Sequence, residues 1–392
     1  MEPLGGDGPA SGGAGRGSAQ PALGRHPGGV RRIPRPWCGT RPCWIVAGCV
    51  LAAVCGTAPL VSAAEPAGRR EVPLLTTWEA NMVKYGTQHG TRLAASQDGP
   101  LDPALAATYY DAQRVYLQIA DYTRDEKYLK FARAAEHVYR DRYVFRHEGA
   151  VAGYWNFTEG LTRDFLRERD ERSREAVLLL SRRAMYAADD TPLDWTADVS
   201  RSREVAYAIM SYVNAQRVGA PRRERLRALV RQAQGHVENE FTREVPAPFM
   251  FALSAESLIL YDEHVEADPA LVDRLARAAD ATWQQAWLPR SEAFYYSREE
   301  GRKPAPDLNL LIAPVYAWLY LRTGQTRFRD RGDYLFAGGV RRAYLDGEKQ
   351  FLQNYRWSFD FVRWRRSGEA AHHKPEDAAG KPPAADEPAP AP

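Results

Sequence analysis

The sequence predicts an all-α domain of about twelve helices in an inner and an outer layer, which is the plan of an (α/α)6 toroid. Helical periodicity dominates from about residue 72 to residue 366, and two kinds of helix alternate along that stretch. One kind is amphipathic and the other is apolar nearly all round. Because a helix without a polar face must be covered on both sides, we expect the apolar helices to form the inner layer.

The segment 126–143 shows the amphipathic kind. It places Tyr128 and Phe131 on one face and Lys127 and Arg133 on the opposite face. Segments that begin near residues 172, 222, 269 and 327 repeat this pattern, with arginine on the outer face. We therefore expect them to lie between the apolar helices and solvent.

The apolar helices are predicted in segments 205–213, 249–261 and 308–320. Short polar turns, such as 121–125 and 323–326, recur roughly every 45 to 57 residues, a spacing typical of helix-pair arrays. An open solenoid of helix pairs would show the same local pattern. A closed ring is favoured because the connections that lead into the apolar helices are long, varied and rich in Trp, Tyr, Asn and Asp.

Residues 1–63 are predicted to be a disordered leader followed by a secretory signal peptide. A basic cluster, Arg31, Arg32 and Arg35, precedes an apolar run over 44–61, and cleavage is expected after Ala63 or Ala64. This layout predicts an exported protein, periplasmic or secreted. A lipoprotein box at residues 46–49 and an uncleaved signal anchor are the alternatives. Residues 367–392 are rich in Ala, Pro, Glu and Lys and are predicted to be a disordered tail.

Composition excludes several kinds of chemistry. The four cysteines all fall in the leader, so the mature chain would have no disulfide, thiol nucleophile or thiolate metal ligand; they are Cys38, Cys43, Cys49 and Cys55. The 53 basic and 50 acidic residues leave a net charge of +3, which gives no reason to expect a nucleic acid partner. No phosphate-binding loop or metal-ligand spacing is present, so we expect no cofactor and no metal. Membrane contact is expected only through the signal segment.

Two stretches carry a resemblance to a known superfamily. Segments 110–129 and 316–326 resemble the hairpin repeats of the six-hairpin glycosidase-like superfamily. The resemblance covers most of residues 72–366 and is one of architecture, without the catalytic signature of a particular family. It implies a toroid fold and a carbohydrate substrate.

A ring of this kind forms a cleft where the long connections meet the first turns of the inner helices, and we expect the site there. Aromatic rings beside amides and charged groups suit a sugar, since the rings stack on pyranose faces and the polar groups bind hydroxyls. The candidate substrate-binding residues are Tyr85, His89, Tyr109, Trp155, Asn156, Trp195, Arg201, Arg203, Asn309, Tyr355 and Trp357.

Hydrolysis of a glycosidic bond requires two carboxyl groups, one protonated and one ionised. The four candidates are Asp111, Glu159, Asp198 and Asp307. Three of them also have a structural interpretation. Asp198 and Asp307 precede helical runs and could be helix caps, and Glu159 could be a first-turn acid favoured by the helix dipole.

Three other functions remain open. A polysaccharide lyase would use Tyr or His as base and acid, with Asn and Arg neutralising a uronate carboxylate. Those roles could fall to Tyr85, His89, Asn156, Arg201, Tyr355 and Arg356, although His89 is also readily explained as a structural histidine. A non-catalytic toroid that binds a glycan or a cell-envelope partner is another hypothesis. A helix-pair scaffold for protein partners is a further one, and it predicts an open array with an exposed apolar groove. A glycoside hydrolase is favoured, with substrate, linkage and oligomeric state left open.

Overall fold

The computed structural model describes residues 71–372, and 73% of these residues are helical. The all-α prediction is confirmed. Sheet structure within the described residues is confined to β1 (Trp287–Leu288) and β2 (Ala293–Phe294), which pair as an antiparallel hairpin. The leader with its cysteines, and the tail from residue 373, lie outside the described residues.

Helices follow one another with few long interruptions. They are α1 (Leu75–Ser96), α2 (Leu101–Ala106), α3 (Ala112–Thr123), α4 (Lys127–Glu136), α5 (Glu159–Glu168), α6 (Glu171–Arg183), α7 (Ser202–Arg217), α8 (Glu224–Gly235), α9 (Phe241–Arg243), α10 (Pro248–His264), α11 (Leu271–Ala286), α12 (Asn309–Thr323), α13 (Thr326–Arg342), α14 (Glu348–Tyr355) and α15 (Ser358–His372). Two π-helical stretches, His137–Val144 and His236–Glu240, continue α4 and α8. No helix between residues 71 and 372 has the length and apolarity needed to cross a membrane.

The predicted apolar helices are buried on every side. In α12 every residue from Asn309 to Tyr320 is buried, and α7 and α10 are nearly as well covered. α10 contacts both α7 and α12, α7 also contacts α5, and α12 also contacts α15. α10 therefore lies between the other two apolar helices, and α7 and α12 are each covered by further helices, as the lack of a polar face requires.

The amphipathic helices cover the remaining sides. α4 contacts α3, α6 contacts α5 and α7, α8 contacts α7, α11 contacts α10 and α12, and α13 contacts α12. α11 is typical: Leu271, Leu275 and Ala278 face the protein, whereas Asp273 and Arg277 face outward. Burying each such leucine stabilises the fold by about 1.5 to 3 kcal/mol.

The first and last helices are joined directly. α14 contacts both α1 and α3. The indole Nε1 of Trp78 in α1 donates to Oγ of Ser358, 3.2 Å away, and the hydroxyl of Tyr355 donates to the carbonyl of Trp78 at 2.8 Å. Trp78 is fully buried among aromatic rings. This contact ties the beginning of the described chain to its end.

The last predicted helix differs from the observed one in two ways. The pattern predicts one helix near 349–365, but the chain breaks between α14 and α15 at Arg356 and Trp357. The side-chain amide of Gln118 donates to the carbonyls of Tyr355 and Arg356, at 3.5 and 3.4 Å, and so replaces bonds that a continuous helix would make. The predicted boundary of the tail at residue 367 is also wrong, because α15 continues to His372, whose Nε2 contacts the carbonyl of Leu321.

The substitution Trp78→Ala should lower the free energy of unfolding by about 3 to 5 kcal/mol, because it leaves a cavity and an unpaired Ser358 between the first and last helices. Urea unfolding of the purified protein measures the change. Tyr334→Ala is the matched control: Tyr334 is 63% exposed on α13, and its loss should change stability by less than about 0.5 kcal/mol. Equal behaviour of the two variants would contradict the role given to Trp78.

Candidate functional site

A cavity of about 130 Å³ lies among α3, α5, α7, α10 and the start of α15. A cavity of this volume can hold on the order of ten water molecules. The residues that line it combine carboxylates, guanidinium groups, amides and aromatic rings. They are Asp111, Arg114, Asn156, Phe157, Thr158, Glu159, Arg163, Tyr207, Met210, Asn214, Arg217, Glu256, Ile259, Leu260, Glu263, His264, Arg356, Trp357, Asp360, Arg363 and Trp364.

The cavity runs lengthwise along α7 and α10. On α7 its lining residues Tyr207, Met210, Asn214 and Arg217 recur at helical spacing and so form one stripe. Ten residues separate the first from the last, which is about 15 Å along the helix. Tyr207 is buried and Arg217 is partly exposed. The cavity is therefore deep, and it opens where α7 ends.

A buried carboxylate organises the inner end of the cavity. Oε1 of Glu256 accepts a hydrogen bond from Nη1 of Arg114 at 2.7 Å, and Oε2 accepts one from Nη1 of Arg356. Arg114 also lies 3.6 Å from Asp360. All three members of the Glu256 pairings are more than nine-tenths buried. Removing one partner of such a network leaves an uncompensated buried charge, which costs about 3 to 5 kcal/mol.

Glu159 is held in the ionised state. Its carboxylate accepts hydrogen bonds from Nε of Arg163 at 2.8 Å and from Nη1 of Arg217 at 2.5 Å. Burial alone would raise the pKa of Glu159, but the charges of Arg217, Arg163 and Arg114 outweigh it and lower the pKa to about 2. Glu159 therefore carries its negative charge throughout the physiological pH range.

Asp111 lines the same cavity as Glu159, and its pKa is shifted in the opposite direction. It caps α3, where Oδ1 accepts the N–H of Arg114 at 3.3 Å, and Oδ2 accepts the N–H of Gly160 at 3.0 Å. Burial raises the pKa of Asp111, and the Arg114 charge and the two N–H groups offset this only in part. The cavity thus holds two carboxyl groups whose pKa values are shifted in opposite directions.

The backbone at Asp111 is strained. Tyr110 and Asp111 are consecutive non-glycine residues with φ of 71° and 63°, in the left-handed region. Each such residue costs on the order of 1 to 3 kcal/mol, and outliers of this kind cluster at functional sites. Gly160 permits the arrangement, because a Cβ at this position would lie 2.4 Å from Oδ1 of Asp111.

Several polar groups in the cavity have no partner within residues 71–372. Neither amide atom of Asn156 makes a hydrogen bond, although the residue is only 2% exposed, and the same holds for the hydroxyl of Tyr207 and Nε of Arg356. A buried polar group without a partner costs about 1 to 3 kcal/mol unless water or a ligand binds it. Together they offer both donors and acceptors to a bound molecule.

The other two candidate acids lie elsewhere, and their observed contacts are structural: Asp198 is a cap, whereas the predicted helix cap at Asp307 is not observed. Asp198 is exposed and accepts the N–H of Ser200 at 2.8 Å at the start of a short 3-10 turn. Asp307 accepts the N–H of Tyr344 at 2.6 Å and so holds the connection that follows α13. Neither residue lines the cavity. Of the four predicted carboxylates, the structure brings together Asp111 and Glu159.

Some of the predicted aromatic and cationic residues line the cavity, and others lie outside it. Trp357 lines the cavity and makes an edge contact with Trp364 at 5.9 Å. Tyr109 and Trp155 pack together with ring centroids 4.8 Å apart, outside the cavity lining. Three others are also outside it: Arg203 pairs with Glu204 at 2.8 Å, Arg201 lies over the Tyr186 ring, and Trp195 is 60% exposed.

Four further candidates have structural partners. Nε2 of His89 contacts the carbonyl of Leu345 at 2.8 Å, and Tyr85 stacks on its ring. The hydroxyl of Tyr355 is bonded to Trp78, and the side-chain amide of Asn309 donates to the carbonyl of Glu292 at 2.7 Å. These contacts join neighbouring segments and lie outside the cavity lining.

Sequence reasoning missed most of the charged residues that organise the cavity, among them Arg114, Arg217, Glu256 and Asp360. A signal for two of them was present. Glu256 is the one acid in the apolar segment 249–261, and Arg114 likewise interrupts a run of buried residues in α3. A charge on a helix that is covered on all sides requires a partner of opposite charge.

A second acidic cluster lies between α4, α5 and α6. Carboxylate oxygens of Glu136, Asp164 and Asp170 lie within 4.8 Å of one another. Burial and the neighbouring Asp164 raise the pKa of Glu136 to about 8. The guanidinium group of Arg140 pairs with Glu136 and Asp170, and Ser173 bridges Arg140 to Asp164. The side chain of Arg140 supplies positive charge to this cluster.

The pKa of Glu159 leads to a test by pH. A depressed pKa in the folded state stabilises the protein above the unfolded-state pKa of about 4.5, and the contribution is lost as pH falls toward 2. Glu159→Gln should therefore be less stable than the original chain by about 3 kcal/mol at pH 7, and the gap should close as pH falls. Urea unfolding at pH 7, 4 and 3 measures it.

Glu224→Gln is the matched control, because Glu224 is exposed at the start of α8 and its only ion pair in the described chain is a 3.8 Å contact with Arg227. The Glu224→Gln variant should be as stable as the original chain at pH 7, 4 and 3. A gap for Glu159→Gln that stays constant between pH 7 and pH 3 would contradict the depressed pKa.

Comparison with known proteins gives no relative for this chain. No family model matches it, no curated protein matches it, and no solved structure matches it. Its function must therefore be inferred from the chemistry of its own cavity.

Proposed function

We propose that the helices of residues 71–372 close into an (α/α)6 toroid, with the helices that are buried all round on the inside. The contacts of α14 with α1 and α3 support this, as do the bonds from Trp78 to Ser358 and from Gln118 to Arg356. In an open array each repeat contacts only its sequence neighbours, so the first and last helices would lie apart. The pattern of residues 1–63 supports export to the periplasm or the exterior.

We propose that this protein is a carbohydrate-active enzyme that hydrolyses a glycosidic bond in the cavity. The observation that carries the proposal is the pair Asp111 and Glu159, which line one cavity and have pKa values shifted in opposite directions. Two titratable groups pushed apart in this way are typical of an acid and base pair. Glycoside hydrolysis needs one protonated and one ionised carboxyl group.

Each of the two carboxyl groups has its own role in the reaction. Asp111, in its protonated form, donates its proton to the glycosidic oxygen as the bond to the anomeric carbon breaks. Glu159 accepts a proton from a water molecule, whose oxygen bonds to that carbon, and Arg163 and Arg217 hold Glu159 in place. Solvent then returns the two carboxyl groups to their initial states. The free amide of Asn156 offers hydrogen bonds to sugar hydroxyls.

A lyase is the second candidate, because Tyr207, Arg356 and Asn156 share the cavity. The guanidinium of Arg356 lies 5.6 Å from the centre of the Tyr207 ring, and the Tyr207 hydroxyl is unpartnered. Burial raises the pKa of Tyr207 well above its usual value, so the hydroxyl stays protonated. It therefore suits the proton donor of an elimination better than the base, and this favours hydrolysis.

A substrate screen separates the two reactions. The full-length chain is incubated with neutral glycans and with uronate-containing glycans, and reducing ends and ultraviolet absorbance are followed together. Hydrolysis predicts new reducing ends without the absorbance of unsaturated products. Absorbance that rises with the reducing ends would establish a lyase. Binding without any cleavage would overturn the enzymatic proposal and support a glycan-binding role.

Asp111→Asn should lower kcat by about 100-fold to 10,000-fold on a cleaved substrate, because the amide cannot donate the proton at the glycosidic oxygen. Asp198→Asn is the matched control and should leave kcat unchanged, since Asp198 is an exposed cap outside the cavity. Thermal unfolding of both variants shows whether the fold is retained. A folded Asp111→Asn protein with full activity would remove Asp111 from the mechanism.

A further inference from the structure

The cavity is closed at its inner end. Tyr207, Glu256 and Arg356 form this end, and each of them is more than nine-tenths buried. Among the lining residues the exposed ones are Glu263, His264 and Arg363, in the last turn of α10 and the second turn of α15. Solvent therefore reaches the cavity from one side, and the Glu256 ion pairs seal the other.

The size of the cavity restricts what can reach Asp111. The cavity has room for on the order of ten water molecules. That space is enough for one hexose, which has twelve heavy atoms, but not for two. Asp111 is itself buried beside Arg114. A sugar in the interior of a chain would have to extend past Tyr207 and Arg356, which are nearly fully buried at the inner end of the cavity.

The buried part of the cavity also carries the polar groups that a terminal sugar needs. The hydroxyl of Tyr207, Nε of Arg356 and the amide of Asn156 are all unpartnered within the described chain. They offer donors and acceptors to the hydroxyl groups that a sugar at the end of a chain exposes. Water would otherwise have to satisfy them.

An open groove adjoins the mouth of the cavity. It shares Arg163, Asp360 and Arg363 with the cavity and adds Tyr122 and Phe359, with a volume of about 600 Å³. Aromatic and charged side chains side by side provide a surface on which further sugar units can lie. The deep cavity and the shallow groove together form one path with a single closed end.

We propose that the cavity accepts only the end of a glycan chain and that the enzyme is exo-acting, with the rest of the chain in the adjoining groove. The cleavage step rests on the proposed function, whereas selectivity for chain ends is a property of binding alone. Each hydrolysis would consume one water molecule and release one terminal sugar and a chain shorter by one unit.

The test uses mannan, xylan and polygalacturonate fractions of increasing length, with binding measured by calorimetry. We expect one protein bound per chain at every length, and loss of binding when the recognised end is blocked by a covalent label. For a fraction that is cleaved, the monosaccharide should accumulate from the first time point while viscosity changes little. Binding sites that increase with chain length, or internal cuts with rapid loss of viscosity, would overturn exo action and leave hydrolysis intact.

End-specific binding without cleavage would support the closed cavity and refute the hydrolytic function, so the two failures are distinguishable. Tyr207→Phe adds a test at the inner end: loss of the hydroxyl should weaken binding of the chain end about threefold to tenfold. Tyr212→Phe is the matched control on the same helix, because the hydroxyl of Tyr212 donates to the carbonyl of Ala187 outside the cavity. This variant should bind the chain end as tightly as the original chain does. Equal affinities for the Tyr207→Phe variant and the original chain would contradict contact between Tyr207 and the sugar.

Discussion

The buried carboxylate of Glu256 is the interaction on which the centre of this protein depends. It joins Arg114 of α3 and Arg356, at the break between α14 and α15, to the middle of α10. These three residues are far apart in the sequence and nearly fully buried. An uncompensated charge at such a position is costly, so the network constrains how these helices can lie. It also closes the inner end of the cavity.

A second link positions the chemistry. Asp111 caps α3 and also accepts the N–H of Gly160, the residue after Glu159, so the same carboxylate sets the start of two helices. The left-handed backbone of Tyr110 and Asp111 is kept by this double capping and by the absence of a side chain at Gly160. Asp111 can therefore be a helix cap and a candidate catalytic acid at the same time. For Asp198, by contrast, the cap accounts for the observed contacts.

Sequence patterns predicted the helical class and the two kinds of helix, because burial on one face or on all faces leaves a direct trace in residue spacing. They predicted a single final helix where the structure has two, since the Gln118 amide that takes the carbonyls of Tyr355 and Arg356 comes from a distant part of the chain. The same limit applies to the site. Asp111 and Glu159 were found by residue type and position, but nothing local separates them from Asp198 and Asp307.

The sequence by itself determined which segments are helices and which of them need cover on every side, because periodicity is a local property of the chain. Only the tertiary structure decided which charges meet. Glu256 pairs with Arg114 and Arg356, which are 142 and 100 residues away in the sequence. The pKa values of Asp111 and Glu159 diverge because burial dominates at Asp111, whereas the charges of Arg217, Arg163 and Arg114 outweigh burial at Glu159. Electrostatic environment depends on distances in space, which residue spacing along one helix does not contain.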